Sequence, residues 1–106
     1  MTQLTESPYD DFVRDHPFAV IHIWAPWNDY DTQMKELLAS LPQALRDLIT
    51  FAQFECDPPD HWERCRRLEI RNLPFLAMYR NGTLTNTLTG LRKPEEIETL
   101  LTELIS

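Results

Sequence analysis

Val20, Ile21 and Ile23 lie in a short apolar run rich in β-branched residues, Phe18 to Trp24, and such a run predicts a buried strand. After the break from Trp24 to Trp27 come Asn28, Asp29 and Asp31, whose side-chain oxygens suit the free N–H groups of a helix's first turn. Met34, Leu37, Leu38, Leu41, Leu45 and Leu48 then share one stripe at helical spacing, predicting a helix from about Asp29 to about Leu48. Pro42 falls inside it, and its missing N–H and ring clash should bend or split that helix near Ala39–Leu41. Strand, aromatic loop and helix start make a layout that commonly carries a site, because the helix dipole and orphan N–H groups face whatever lies there.

The flanking pattern fills in the remaining elements. Ser7 as N-cap and Pro8 at the first helical position start a helix on which Tyr9, Phe12 and Val13 recur, and His16-Pro17 ends it. Ile49 to Glu55 reads as the second strand, closed by Asp57-Pro58-Pro59. Asp60 with Glu63 has the form of a capping box for a short helix through about Arg67. Phe75 to Tyr79 and Leu84 to Leu88 flank Asn81-Gly82, a strong hairpin dipeptide. Pro94 opens a last helix whose buried face is Ile97, Leu100, Leu101 and Leu104.

Composition narrows the function. The chain has 106 residues, enough for one domain spanning 1–106, and its 42% hydrophobic and 25% charged residues suit a packed globule. A formal net charge of −7 repels phosphate backbones and argues against nucleic acid as a partner. No apolar run approaches the roughly 18 residues of a membrane span. The polar start Met1-Thr2-Gln3-Leu4-Thr5-Glu6 lacks the basic and apolar regions of a signal peptide, so a cytoplasmic protein is expected. Two glycines leave no glycine-rich phosphate loop, and two cysteines make no disulfide scaffold.

Four motifs in order resemble the thioredoxin family. Ile23-Trp24-Ala25-Pro26-Trp27 resembles the approach to its active site, where a tryptophan is followed at once by Cys-Gly-Pro-Cys. Ile70-Arg71-Asn72-Leu73-Pro74-Phe75 is similar to the segment holding its cis-proline, Tyr79-Arg80-Asn81-Gly82 to its hairpin turn, and Thr89-Gly90 to the approach to its last helix. The resemblance implies an α/β fold, a three-layer sandwich with a central mixed sheet of four or five strands flanked by helices. The family's first edge strand is expected to be absent or very short, since few residues precede the first helix. The helix proline is also displaced, because the family's position holds Glu36.

The departures fall on the chemistry. Dithiol exchange needs a thiolate to attack and a second thiol to resolve the mixed disulfide. The two cysteine positions are Asn28 and Asp31, residues that cap a helix or complement its dipole but are not nucleophiles for disulfide exchange. The family's buried aspartate corresponds to His22, and its partner lysine, by a gapless count from Trp27, to Gln53. What the resemblance retains is a recognition groove at Trp27, Asn72, Leu73, Pro74, Thr89 and Gly90, to which Tyr30 adds aromatic area. The preferred reading is a redox-inactive domain that binds an extended peptide or protein partner, as adaptor or assembly factor, with Leu73 pairing through its backbone. The runner-up is a divergent thiol oxidoreductase using Cys56 with or without Cys65, and a third is a structural domain with a vestigial groove.

The other candidates read more blandly. Cys65, three residues from both Trp62 and Leu68, suits a buried small apolar position, and Cys56 has no neighbouring base or helix start to lower its pKa. A Cys56–Cys65 bond depends on whether the fold brings them together. Cys56, His61 and Cys65 with Asp57 or Asp60 number enough for zinc, but no tight Cys or His pair is present, and neither metal nor cofactor is expected. His22 suits a hydrogen-bonded core histidine. Arg64, Arg66, Arg67 and Arg71 are four of ten basic residues; they read first as a solvated helix face and second as a docking patch for an acidic partner.

Overall fold

A computed structural model describes residues 1–106. Five strands, β1 (Thr2–Leu4), β2 (Phe18–Trp24), β3 (Thr50–Glu55), β4 (Phe75–Arg80) and β5 (Thr83–Thr89), form one sheet in the order β1-β3-β2-β4-β5. The first three run parallel, and β4 and β5 are antiparallel additions. The edge strand therefore exists and is three residues long.

Alternation along the strands sorts side chains to two faces. Ala19, Ile21 and Ile23 of β2, Ala52 and Phe54 of β3, and Phe75, Ala77 and Tyr79 of β4 pack on one side. There they meet helix α1 (Glu6–Asp15) through Tyr9 and Val13, and α4 (Trp62–Arg67) through Cys65. Val20, Leu76, Met78 and Leu88 point the other way, onto α2 (Tyr30–Ala39), α3 (Gln43–Leu48) and α5 (Pro94–Ile105). The result is the expected three-layer α/β sandwich.

Pro42 splits the long helix as its chemistry requires: α2 ends at Ala39 and α3 restarts at Gln43. The break rotates the stripe, so Met34, Leu38, Leu41 and Leu45 are buried while Leu48 is exposed and Ile49 takes its place. Helix α1 begins two residues before Pro8, with Thr5 as N-cap and no side-chain cap bond, because β1 delivers the chain into the helix earlier. The Asp60–Glu63 capping box is also absent; a 3₁₀ turn, Pro59–His61, leads into α4. Asn81 and Gly82 both take positive φ, 51° and 82°, as a two-residue hairpin turn demands.

One arginine contradicts the solvated-face reading. Arg64 is buried: its Nε and Nη2 donate to Glu6 at 2.9 Å each, its Nη1 donates to Asp10 at 2.9 Å, and its guanidinium lies 3.9 Å from the Tyr9 ring centre. The fork fits a carboxylate from two sides, so Arg64 fastens α4 to α1. Arg66 and Arg67 stay on the surface, the former paired with Glu63.

Candidate functional site

The loop after β2 and the start of α2 meet the Leu73–Pro74 turn, and Asn28 joins them. Its Oδ1 accepts the Tyr30 N–H at 3.0 Å, closing the helix's first turn, and its Nδ2 donates to the Leu73 carbonyl at 3.2 Å. Asp29, the other capping candidate, sits in helical geometry and makes no cap bond. The Leu73–Pro74 peptide is cis, the Pro74 carbonyl accepts the Gly90 N–H at 2.7 Å, and Thr89 registers beside Phe75. Gly90 has φ +82°, a conformation that suits glycine. The sequence-predicted residues Trp27, Tyr30, Asn72, Leu73, Pro74, Thr89 and Gly90 are thereby gathered at the C-terminal end of β2 and its neighbours.

Leu73 contributes backbone rather than side chain. Its side chain is buried in the core under α1 and α4. Its N–H is covered by the Asn72 side-chain oxygen at 3.0 Å and its carbonyl by Asn28. Two short amides thus occupy the groups that an incoming strand would pair with.

Asp31 is not an exposed helix-start charge. It is 6% exposed, its Oδ2 accepts the Ala25 N–H at 3.0 Å, and its Oδ1 lies 3.3 Å from His22 Nε2. His22 faces α2 because odd and even residues of β2 take opposite sides, and Gln53, paired with it in register on β3, lies 3.2 Å from its Nδ1. A Gln53 N–H donating to Nδ1 leaves the other ring nitrogen to donate to Asp31. Gln3 from the edge strand bonds Gln53 and accepts the Trp24 indole N–H at 3.3 Å. Burial holds the His22 pKa below its ordinary value, partly offset by Asp31. A cleft of about 200 Å³ opens beside this chain of polar groups, between Trp24, Thr32 and Lys35. The carboxylate and imidazole thus join β2 to the first turn of α2 through hydrogen bonds.

Two participants were missed by the sequence. Asp57 accepts the Trp27 indole N–H on its carboxylate at 2.9 Å and the Trp62 indole N–H on its backbone carbonyl at 2.8 Å. The sequence pattern makes Asp57 a strand terminator and a candidate zinc ligand and puts Trp62 beside Cys65 on a helix face, but Trp62 is 60% exposed, much like Trp27 at 66% and Tyr30 at 57%. A single aspartate between a strand end and two prolines is the only signal that could have pointed there. Trp27, Tyr30 and Trp62 thus stand as three exposed aromatics around this turn.

Cys56 and Cys65 are both free, one half-buried and one buried, with their sulfurs 2.7 Å apart. Burial first, then the neighbouring Cys56, pushes the Cys65 thiol pKa up. No group of three or more metal-ligating side chains forms, and His61 is occupied by the Glu55 carbonyl and stacked on Phe54. No helix is long and apolar enough to cross a membrane.

Comparison with known proteins agrees with this geometry. The chain is 30% identical to human glutaredoxin-3 over 76 residues, which is 72% of this chain and 22% of that protein. It is 26% identical over 103 residues to a thioredoxin domain-containing protein 5 homologue of Drosophila melanogaster, covering 93% of this chain and 24% of that one. It is 24% identical over 98 residues to protein disulfide isomerase-like 1-3 of Arabidopsis thaliana, covering 92% and 17%. The chain thus spans a quarter or less of these relatives. Mitochondrial thioredoxin 3 from Saccharomyces cerevisiae superposes with a TM-score of 0.84 at 20% identity, over 97% of this chain and 94% of that one. Thioredoxin f2 from Chlamydomonas reinhardtii gives 0.84 at 21%, over the same shares. The family model described as Thioredoxin matches residues 1–103, and with the fold, the Leu73–Pro74 turn and the aromatic loop in place, this chain belongs to the thioredoxin family.

Proposed function

We propose that this domain binds an extended segment of a protein partner across Trp27, Tyr30, Trp62 and the Leu73–Pro74 turn, as an adaptor or assembly factor, without dithiol turnover at the start of α2. One observation carries the reading: Asn28 and Asp31, at the positions the resemblance assigns to the family's cysteines, are built into hydrogen bonds, while the indoles of Trp27 and Trp62 are bonded to Asp57 and exposed. A bound strand displaces the Asn28 and Asn72 side-chain amides and takes their places on the Leu73 carbonyl and N–H. The indoles then supply the apolar contact that such a backbone pairing lacks.

The test is a library of immobilised extended peptides screened against the chain, with the tightest binder titrated against Trp27→Ala. The expected loss is tenfold or more, about 1.4 kcal/mol or greater, as for a central aromatic contact. Unchanged affinity means that the groove is not the site. The proximity of Cys56 and Cys65 favours a second reading, turnover by a displaced dithiol. Insulin reduction that disappears in Cys56→Ser would select that reading over the first.

A further inference from the structure

The two cysteines meet for a reason visible in the strand pattern. Ala52 and Phe54 of β3 face α1 and α4, and the next residue of that parity is Cys56. A bond from its N–H to the Trp24 carbonyl, 2.8 Å, prolongs the strand geometry past Glu55. Cys65, on the inward side of α4, packs into the same core, and the Arg64 clamp to Glu6 and Asp10 keeps α4 seated there. The sulfurs lie 2.7 Å apart, within an ångström of the covalent S–S length of about 2.05 Å.

We propose that Cys56 and Cys65 form a dithiol site that closes to an intramolecular disulfide on meeting a low-molecular-weight disulfide of the glutathione class, and reopens with a dithiol reductant. The site is distinct from the helix-start position and goes beyond partner binding. Cys56, the less buried of the two residues, is assigned the first contact with the reagent. Its thiolate attacks one sulfur of the oxidant; the S–S bond of the oxidant breaks, a Cys56 mixed disulfide forms and one thiolate leaves. Cys65, already in contact, then attacks the Cys56 sulfur, forming Cys56–Cys65 and releasing the second thiolate. Two electrons pass from the protein thiols to the oxidant, and the two thiol protons end on the two small thiols released.

Closure has a structural consequence. The bond would tie the end of β3 to α4 and make a loop of the segment between them, which contains Asp57 and Trp62. Asp57 also holds Trp27, so the redox state of the pair bears on both exposed indoles. Burial raises the pKa of the Cys65 thiol, which argues against Cys65 as the first attacker; its own attack on the mixed disulfide follows loss of its proton and is helped by its contact with Cys56.

The experiment uses the reduced full chain incubated with oxidised glutathione in large excess over reduced, read by intact mass and by alkylation after denaturation. The expected product is a monomer lighter by two hydrogens with no alkylatable thiol, restored by dithiothreitol. Cys65→Ser is expected to stop at a stable glutathionyl adduct on Cys56, and Cys56→Ser to stay unmodified over the same time. Two alkylatable thiols persisting in the wild-type chain, a lasting glutathionyl adduct on it, or disulfide-linked dimers would each overturn the proposal. The deciding reading is on the wild-type chain, so misfolding of a variant does not blunt it. Disulfide closure in a chain that binds no peptide supports this site and removes the groove, so the two readings fail separately.

Discussion

The start of α2 and the junction of β3 with α4 are neighbours, joined by the Trp27–Asp57 hydrogen bond, and they divide the requirements of a thiol site between them. The helix start has the environment: orphan N–H groups, the positive end of a ten-residue dipole, and a loop that places two side chains on its first turn. It holds no thiol. The junction has two thiols in contact, but Cys65 is inside a six-residue helix and burial pushes its pKa up. Fast exchange at neutral pH needs thiol and environment together, because the attacking species is the thiolate. Separated, the first region has the environment without a thiol, and the second has the thiols without that environment.

The largest effect should come from breaking the polar fill of the helix start. Asp31→Ala removes one carboxylate that serves both the Ala25 N–H and His22, leaving two buried donors without partners. We expect a loss of about 2–4 kcal/mol in urea unfolding. A change under about 0.5 kcal/mol would mean that water or rearrangement satisfies both donors and that the network does not hold this turn. The same variant should still close the Cys56–Cys65 bond, which sharpens the separation of the two regions.

Next is the clamp on the other side. Arg64→Ala removes three charge-assisted bonds and the contact with Tyr9, but Asp10 is largely solvated and Glu6 partly so. Discounted for that exposure, the expected cost is about 1–2 kcal/mol. Its more telling readout is local: α4 should loosen and Cys65 should be alkylated faster under native conditions. An unchanged alkylation rate would show that packing on Phe54 and Tyr9, rather than Arg64, seats that helix.

The elements most legible in the sequence were those set by periodicity and by residues with one mechanical role. The β2 run, the α5 stripe, the Asn81-Gly82 turn and the Pro42 break follow from local chemistry, and the structure has them within a residue or two. The candidate groove was located through the resemblance, since no local pattern says that Gly90 approaches Pro74. The failures share a cause. Arg64, Asp31 and Trp62 were assigned by residue type, with charges outward and tryptophan inward. Long-range partners decided otherwise: Glu6 lies 58 residues from Arg64, and His22 meets Asp31 across a strand and a helix. The Cys56–Cys65 contact lay between these cases. Strand parity extended one step past β3 would have placed Cys56 on the α4 face, but where α4 sits on that face comes only from the packed fold.

The smallest expected effect tests the protonation state of the helix-start network. Burial lowers the His22 pKa in the folded chain, with Asp31 and the nearby Lys35 acting on it in opposite senses. The unfolded chain then binds the proton more readily than the folded one as pH falls below the ordinary histidine value of about 6.5. Stability carried by neutral His22 is therefore complete above that pH and is lost as pH drops toward the folded pKa. Asp10 acts in a separate window, because the Arg64 bond holds its carboxyl below the usual carboxylate range and its contribution is lost only at more acid pH. His22→Gln keeps an amide able to meet Asp31 and Gln53 but cannot titrate. The difference in unfolding free energy between wild type and this variant should shrink between pH 7 and pH 5, by less than the Arg64→Ala effect. A difference that stays flat across that range would mean that His22 takes up a proton equally well in both states, and that the charge of Asp31 fully offsets its burial.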